Sequence, residues 1–191
     1  MNDPRGDIEL IHAANHGEEA AFEALYERYR DWVVALAYRF TANRHDALDV
    51  LQETFTYLLR KFPSGGASGQ DRGFQLSASM KTFLYPAVKH LSLTAIRKRR
   101  RAILDDDLLQ DIPARDHAEA PLDDLADVLG TLSAAHREVV LMRFVDAMTL
   151  QEIAAALAIP LGTVKSRLFN ALGRLRADPK TREYFGKSPE G

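Results

Sequence analysis

The chain has 191 residues, 46% of them apolar, and a formal net charge of −2. That is enough apolar material for one or two packed cores and too much for a disordered chain. With no cysteine, disulfides, thiolate zinc sites and cysteine nucleophiles are excluded.

Because the near-neutral total hides strong local charge, the positions of the charges carry more information than their sum. The N-terminus, MNDPRGDIEL, has no basic segment leading into an apolar one, and no apolar run approaches the roughly 20 residues of a membrane helix. A cytoplasmic protein without membrane insertion is expected.

Strand patterns are almost absent and helical periodicity dominates. A short helix is predicted over 8–16, stopped by Gly17. A second is predicted over 18–40, with Phe22, Leu25, Tyr29, Trp32, Leu36 and Phe40 on its apolar face. A third is predicted over 44–62, with Leu48, Leu51, Phe55, Leu58 and Phe62 inward. On its opposite face Asp46, Asp49 and Glu53 align, with Gln52 beside them. Three carboxylates in one stripe suit a basic partner, although a solvated acidic face has the same pattern.

The run PSGGASGQDRG (63–73) reads as a loop. A fourth helix is predicted over 79–100, with Met80, Leu84, Ala87, Leu91 and Ala95 inward and a kink at Pro86. Lys81, Thr82, Tyr85 and Lys89 are expected on its outer face, which ends in RKRRR (97–101). Consecutive cations beside aromatics suit a nucleic-acid backbone, and Phe74, Phe83 and Tyr85 are candidates to stack on bases of an opened duplex. Phe83 also flanks the apolar face, so a core position is equally open to it.

Residues 102–120 hold six acids against one base and no apolar period, the pattern of a linker. A second helical block follows over 121–177, and 178–191 is a polar tail. The expected fold is therefore all-α: a first domain over 1–101, an acidic linker over 102–120, and a second domain over 121–177. The second has fewer than about 60 residues and is marginal alone.

Within it, TLQEIAAALAIPLGTVKSRLFNALGRLR (149–176) has the pattern of a helix-turn-helix. Thr149 and Glu152 form a capping-box pair, and Leu150, Ile153, Ala154 and Leu157 form an inner face. Pro160 fits the first position of the next helix. On that helix Leu161, Val164, Leu168, Ala171, Leu172 and Leu175 fall on one side and Ser166, Phe169, Asn170 and Gly173 on the other. Lys165 and Arg167 lie on opposite flanks. A ridge that reads base edges, with a cation on each side for phosphates, matches major-groove binding. Protein-binding modules use the same motif, so the motif alone does not choose a function.

Taken together, AFEALYERYRDWVVALAYRF, DALDVLQETF, MKTFLYPAVKHLSLTAIRKRRR, LSAAHREVVLMRFVDAMTLQEIAAALAI and PLGTVKSRLFNALGRLR, in this order, resemble the bacterial extracytoplasmic-function (ECF) sigma factors of RNA polymerase. The resemblance covers nearly the whole chain. It implies that the first domain docks on core RNA polymerase through Asp46, Asp49, Gln52 and Glu53. It further implies that the same domain recognises and melts the −10 element with Phe74, Lys81, Thr82, Phe83, Tyr85, Lys89, His90 and Arg97. The loop at 63–74 would take a flipped base, and the linker would thread into the polymerase. The second domain would read the −35 element with Thr163, Lys165, Ser166, Arg167, Phe169 and Asn170.

The chain departs from the family's usual residues at Leu48, Phe83, Pro86, His90, Thr94, Asn170 and Leu172. Leu48 removes one carboxylate from the docking face.

An anti-sigma factor or similar regulator is the implied partner besides polymerase and promoter DNA. The tail after Asp178, or phosphorylation near the docking face at Thr54 or Thr56, would be further means of control. No cofactor, metal or catalytic residue is expected. His12 and His16 have a metal-site spacing but no third ligand follows, and there is no phosphate loop or nucleophile motif. The competing reading is a stand-alone helix-turn-helix regulator.

Overall fold

The computed structural model describes residues 3–63, 73–105 and 129–178. The chain divides into two compact units, 1–112 and 113–191. Among the described residues there is no strand, as the periodicity requires. The loop core at 64–72, most of the acidic linker (106–120) and the tail beyond Asp178 lie outside the described residues.

The first unit contains α1 (Asp7–Asn15), α2 (Glu19–Thr41), α3 (Arg44–Leu59) and α4 (Met80–Asp105). Its core takes Leu10 and Ile11 from α1, Leu25, Val33 and Leu36 from α2, Val50, Phe55 and Leu58 from α3, and Met80, Leu84 and Val88 from α4. Each such apolar side chain contributes about 1.5–3 kcal/mol on burial.

Two of the expected faces are rotated. On α2 the buried line is Ala21, Leu25, Val33, Leu36 and Ala37, while Phe22, Tyr29, Trp32 and Phe40 are only half-buried. The small alanines let neighbouring helices approach, and the large rings fill the margins. On α3, Leu48 is 42% exposed and Ala47, Val50 and Thr54 are inward instead. That helix ends at Leu59 rather than Phe62, although Phe62 still packs in the core.

Helix α4 runs without interruption through Pro86, which lies on its exposed side, and continues to Asp105. It therefore enters the segment expected to be linker, where Ala, Ile and Leu sustain helix.

A polar clasp holds the chain ahead of α1 onto α2. Arg5 pairs with Asp3 and Glu18 at 2.7 Å each. Arg28 pairs with Asp7 at 2.7 Å and donates to the carbonyls of Asp3 and Arg5, while Tyr29 donates to Asp7. The hydrogen bonds from Arg5 lower the Asp3 carboxyl from 3.8 to about 2 and also lower Glu18.

The second unit contains α5 (Ala134–Phe144), α6 (Leu150–Leu157) and α7 (Leu161–Ala177). Val139, Met142, Met148, Ile153 and Val164 are buried, and Leu132, Val140 and Ala171 pack with Leu129, Leu168 and Leu175. The capping box on α6 is formed: the Thr149 hydroxyl accepts from the Glu152 N–H at 3.2 Å, and the Glu152 carboxylate accepts from the Thr149 N–H at 2.7 Å. Ile153 and Ala156 are its buried residues, with Ala154 half-buried. Ala158, at φ 52°, turns the chain, and Pro160 caps α7 instead of forming its first turn. That left-handed alanine costs roughly 1–2 kcal/mol.

Two predictions follow from these local geometries. Ala158→Gly should raise the stability of the full chain by about 0.5–1 kcal/mol in thermal unfolding, after the entropy that glycine adds to the unfolded chain. A clear loss of stability would contradict a left-handed turn there. In an NMR titration the Asp3 carboxyl should protonate near about 2, well below the ordinary 3.8. Because the folded value is the lower one, the clasp's contribution is complete above the unfolded value and is lost as pH falls towards 2.

Candidate nucleic-acid interface

The tight turn at Ala158–Pro160 presents α7 with the side holding Val164 and Ala171 buried and the other to solvent. Phe169 is 77% exposed, an extreme position for a phenylalanine in a folded unit. Lys165, Ser166 and Asn170 are exposed beside it, and Thr163 and Arg167 are half-buried on the flanks. The Ser166 hydroxyl donates to the Thr163 carbonyl at 3.0 Å, leaving its oxygen free to accept. A shallow groove on this side is lined by His136, Phe169, Asn170, Gly173, Arg174 and Ala177. His136 and Arg174 were not singled out by periodicity. His136 comes from the first turn of α5, and only the tertiary packing brings it to the ridge.

In the first unit the residues proposed for opened DNA separate into three groups. Phe74, Thr82 and Tyr85 are buried, so Thr82 and Tyr85 are not on the outer face expected of them and Phe74 is not open to stack on a base. Tyr85 lies edge-on to Phe40 of α2, and Thr82 shares a hydrogen bond with Ser79. The buried arc of α4 is wider than a simple stripe because this helix packs against both α2 and α3. Phe83 and Lys89 are half-buried, as is Lys81, whose ammonium sits 5.8 Å from the centre of the Trp32 ring. His90 and Arg97 are exposed.

Phe83 belongs to an aromatic ladder. It contacts Phe74 at 4.7 Å between ring centres and stacks on Tyr57 at 5.9 Å with an interplanar angle of 12°. The Lys61 ammonium lies 4.8 Å from the Tyr57 ring centre. Tyr57 and Lys61 lie on the α3 side, in a stretch the sequence offered only as the end of an amphipathic helix.

The acidic face of α3 is likewise divided. Asp49, Gln52 and Glu53 are exposed, but the Asp46 side chain is only 16% exposed. Arg99 of α4 donates to Asp46 at 2.7 Å and to the Thr41 carbonyl at 3.2 Å. Asp46 thus has a partner within the unit, and Arg99 is withdrawn from the basic run, leaving Arg97, Lys98, Arg100 and Arg101 exposed. Thr54 is fully buried, which removes it as a site a kinase can reach; Thr56 is exposed. Among the described residues no cluster of metal-binding side chains forms around His12 and His16.

If Arg99 and Asp46 act as one pair, Asp46→Asn and Arg99→Gln should each cost about 1 kcal/mol or less in denaturant unfolding, and the double variant little more than either single one. Additive losses would show that the two side chains do not act together.

Comparison with known proteins places these geometries in context. Residues 25–102 match the family model "Sigma-70 region 2" and residues 128–177 match "Sigma-70, region 4". The chain is 30% identical to an RNA polymerase sigma-E factor of Streptomyces avermitilis, over 92% of this chain and 94% of that one. It is 24% identical to the ECF sigma factor SigW of Bacillus subtilis, over 87% and 92% respectively. It is also 30% identical to the ECF sigma factor SigE of Mycolicibacterium smegmatis, of which it spans 63%.

Among solved structures, CnrH in complex with the cytosolic domain of CnrY is similar at a TM-score of 0.63 and 22% identity, over 95% of this chain and 99% of that one. RpoE of Bartonella quintana, solved with the anti-sigma factor NepR, is similar at 0.58 and 22%, over 88% and 98%. At that identity the two structures speak to the fold.

Proposed function

The chain belongs to the extracytoplasmic-function family of RNA polymerase sigma factors, and on that premise we propose a division of labour among its surfaces. It is an initiation factor that binds core RNA polymerase and directs promoter-specific transcription, with no catalytic step of its own. Its place of action is the cytoplasm, where the polymerase is. Among the described residues no helix is long and apolar enough to cross a membrane.

The single observation that carries the division is the exposed ridge of α7, with Phe169 at its centre. A solvent-facing phenylalanine costs nothing if it is covered in the complex, and the C5-methyl of thymine is a fitting apolar contact. In our reading Phe169 and Asn170 meet base edges of the −35 element. Lys165 and Arg167 hold phosphates on the two strands, and Thr163 and Ser166 orient the helix between them.

In the first unit, Asp49, Gln52 and Glu53 form the polymerase-docking face, and Asp46 supports it through Arg99. Phe83, Lys81, Lys89, His90 and Arg97 serve the −10 element. Phe74, Thr82 and Tyr85 hold α4 in place, because their burial leaves no access for a base.

A restraining protein partner also belongs to this reading. RpoE is seen bound to an anti-sigma factor and CnrH to the cytosolic domain of CnrY, and a factor that redirects polymerase needs to be held off when its signal is absent. A stand-alone regulator needs the second unit alone, so the region 2 match over 25–102 does not favour it.

The ridge assignment is tested by binding of the polymerase complex to promoter variants across a salt series. Phe169→Ala should relax discrimination at one −35 position by roughly 5–100-fold. Lys165→Ala should weaken all sequences evenly and lower the salt slope by about 1. A sequence-specific defect from Lys165→Ala, or none from Phe169→Ala, would overturn the assignment.

A further inference from the structure

Asn15, the last residue of α1, makes a two-point contact with a backbone position far along the chain. Its side-chain amide donates to the Phe74 carbonyl at 2.9 Å, and its side-chain oxygen accepts from the Phe74 N–H at 2.9 Å. The amide thus pairs with Phe74 as a strand neighbour would, using one donor and one acceptor. Asparagine supplies both at this reach, whereas serine is too short and aspartate lacks the donor.

The next position towards the loop independently requires close approach. Gly73 has φ +53°, and a Cβ there would lie 2.5 Å from the Asn15 side-chain oxygen. A larger residue would be strained by the backbone angle and would also displace the amide.

What the contact holds is the support of the aromatic ladder. The Phe74 ring is buried, 5.5 Å from Phe62 and 4.7 Å from Phe83 between centres. Phe83 is the half-buried ring next out, stacked on Tyr57. A half-buried ring backed by a buried one is preorganised to receive a base, because its orientation is set before the base arrives. Helix α1 is itself fixed by Leu10, Ile11 and Ala14 in the core. It lies before residue 25, where the region 2 match begins.

We propose that Asn15 is a positioning residue for promoter opening: it fixes Phe74, Phe74 backs Phe83, and Phe83 meets an unpaired base of the melted −10 region with the part of its ring that is left exposed. This rests on the sigma-factor reading above. Asn15 touches no DNA itself and acts only through the two phenylalanines.

The test uses the full chain with core RNA polymerase on a promoter that the unaltered chain opens, with 2-aminopurine in the −10 region reporting base unstacking. Asn15→Ala and Gly73→Ala, which break the contact from its two sides, should each slow opening about tenfold, while affinity for polymerase and for closed promoter stays within about twofold. A merely structural role would lower the melting temperature without that split. Opening at the normal rate in either folded variant would therefore overturn the proposal.

A second measurement stands apart from transcription. In the free chain labelled with fluorophenylalanine, the resonance assigned by Phe83→Leu should shift in Asn15→Ala and stay in place in the distant control Arg30→Ala. An unmoved Phe83 resonance would contradict the positioning even if opening were slow. Failure of the unaltered chain to open any promoter would count against the sigma-factor reading, and the fluorine shift would still decide whether Asn15 positions Phe83.

Discussion

One guanidinium, from within α4, joins two helix ends of the first unit. Arg99 binds Asp46 in the first turn of α3 and the Thr41 carbonyl at the end of α2. Around it, the Asn43 side chain caps α3 by accepting from the Asp46 N–H, and the Thr41 hydroxyl donates to the carbonyls of Ala37 and Asn43. The link between α2 and α3 is short and turns through Ala42 at φ 48°. Without a partner there, the last carbonyls of α2 would be left to water. The geometry therefore orients the basic half of α4 by the same contact that orients the acidic helix. The acidic face of α3 and the basic run of α4 share one joint.

The second unit works under a different constraint. Among the described residues it has three helices, and the core they form is small. The left-handed turn at Ala158 and the capping box at Thr149 and Glu152 set how α6 meets α7. With Val164 and Ala171 committed to the core, the ridge opposite has no internal packing to do. A large exposed ring on such a ridge leaves water only when something covers it.

Much of this arrangement was legible in the sequence. The helix-turn-helix could be placed because capping box, breaker and amphipathic wheel all indicate the same geometry. The positions of Lys165, Ser166, Phe169 and Asn170 followed from 3.6-residue periodicity alone. The faces of α3 and α4 were less legible, because a helix packed on two sides buries a wide arc. The periodicity puts Leu48 on the inner face of α3 and Tyr85 on the outer face of α4, and each lies on the other side. The Arg99–Asp46 and Asn15–Phe74 contacts span 53 and 59 residues. Nothing in local pattern encodes such pairings, so an Asp in an acidic stripe and an Arg in a basic run both looked free.

The most direct test of the account is transcription by purified bacterial core RNA polymerase on a promoter library, randomised upstream of the start, with and without the chain. The account predicts discrete starts that appear only with the chain. Each should lie downstream of two shared sequence elements at fixed spacing, one for each unit. Identical start sites in both reactions, with no polymerase binding by the chain, would contradict it.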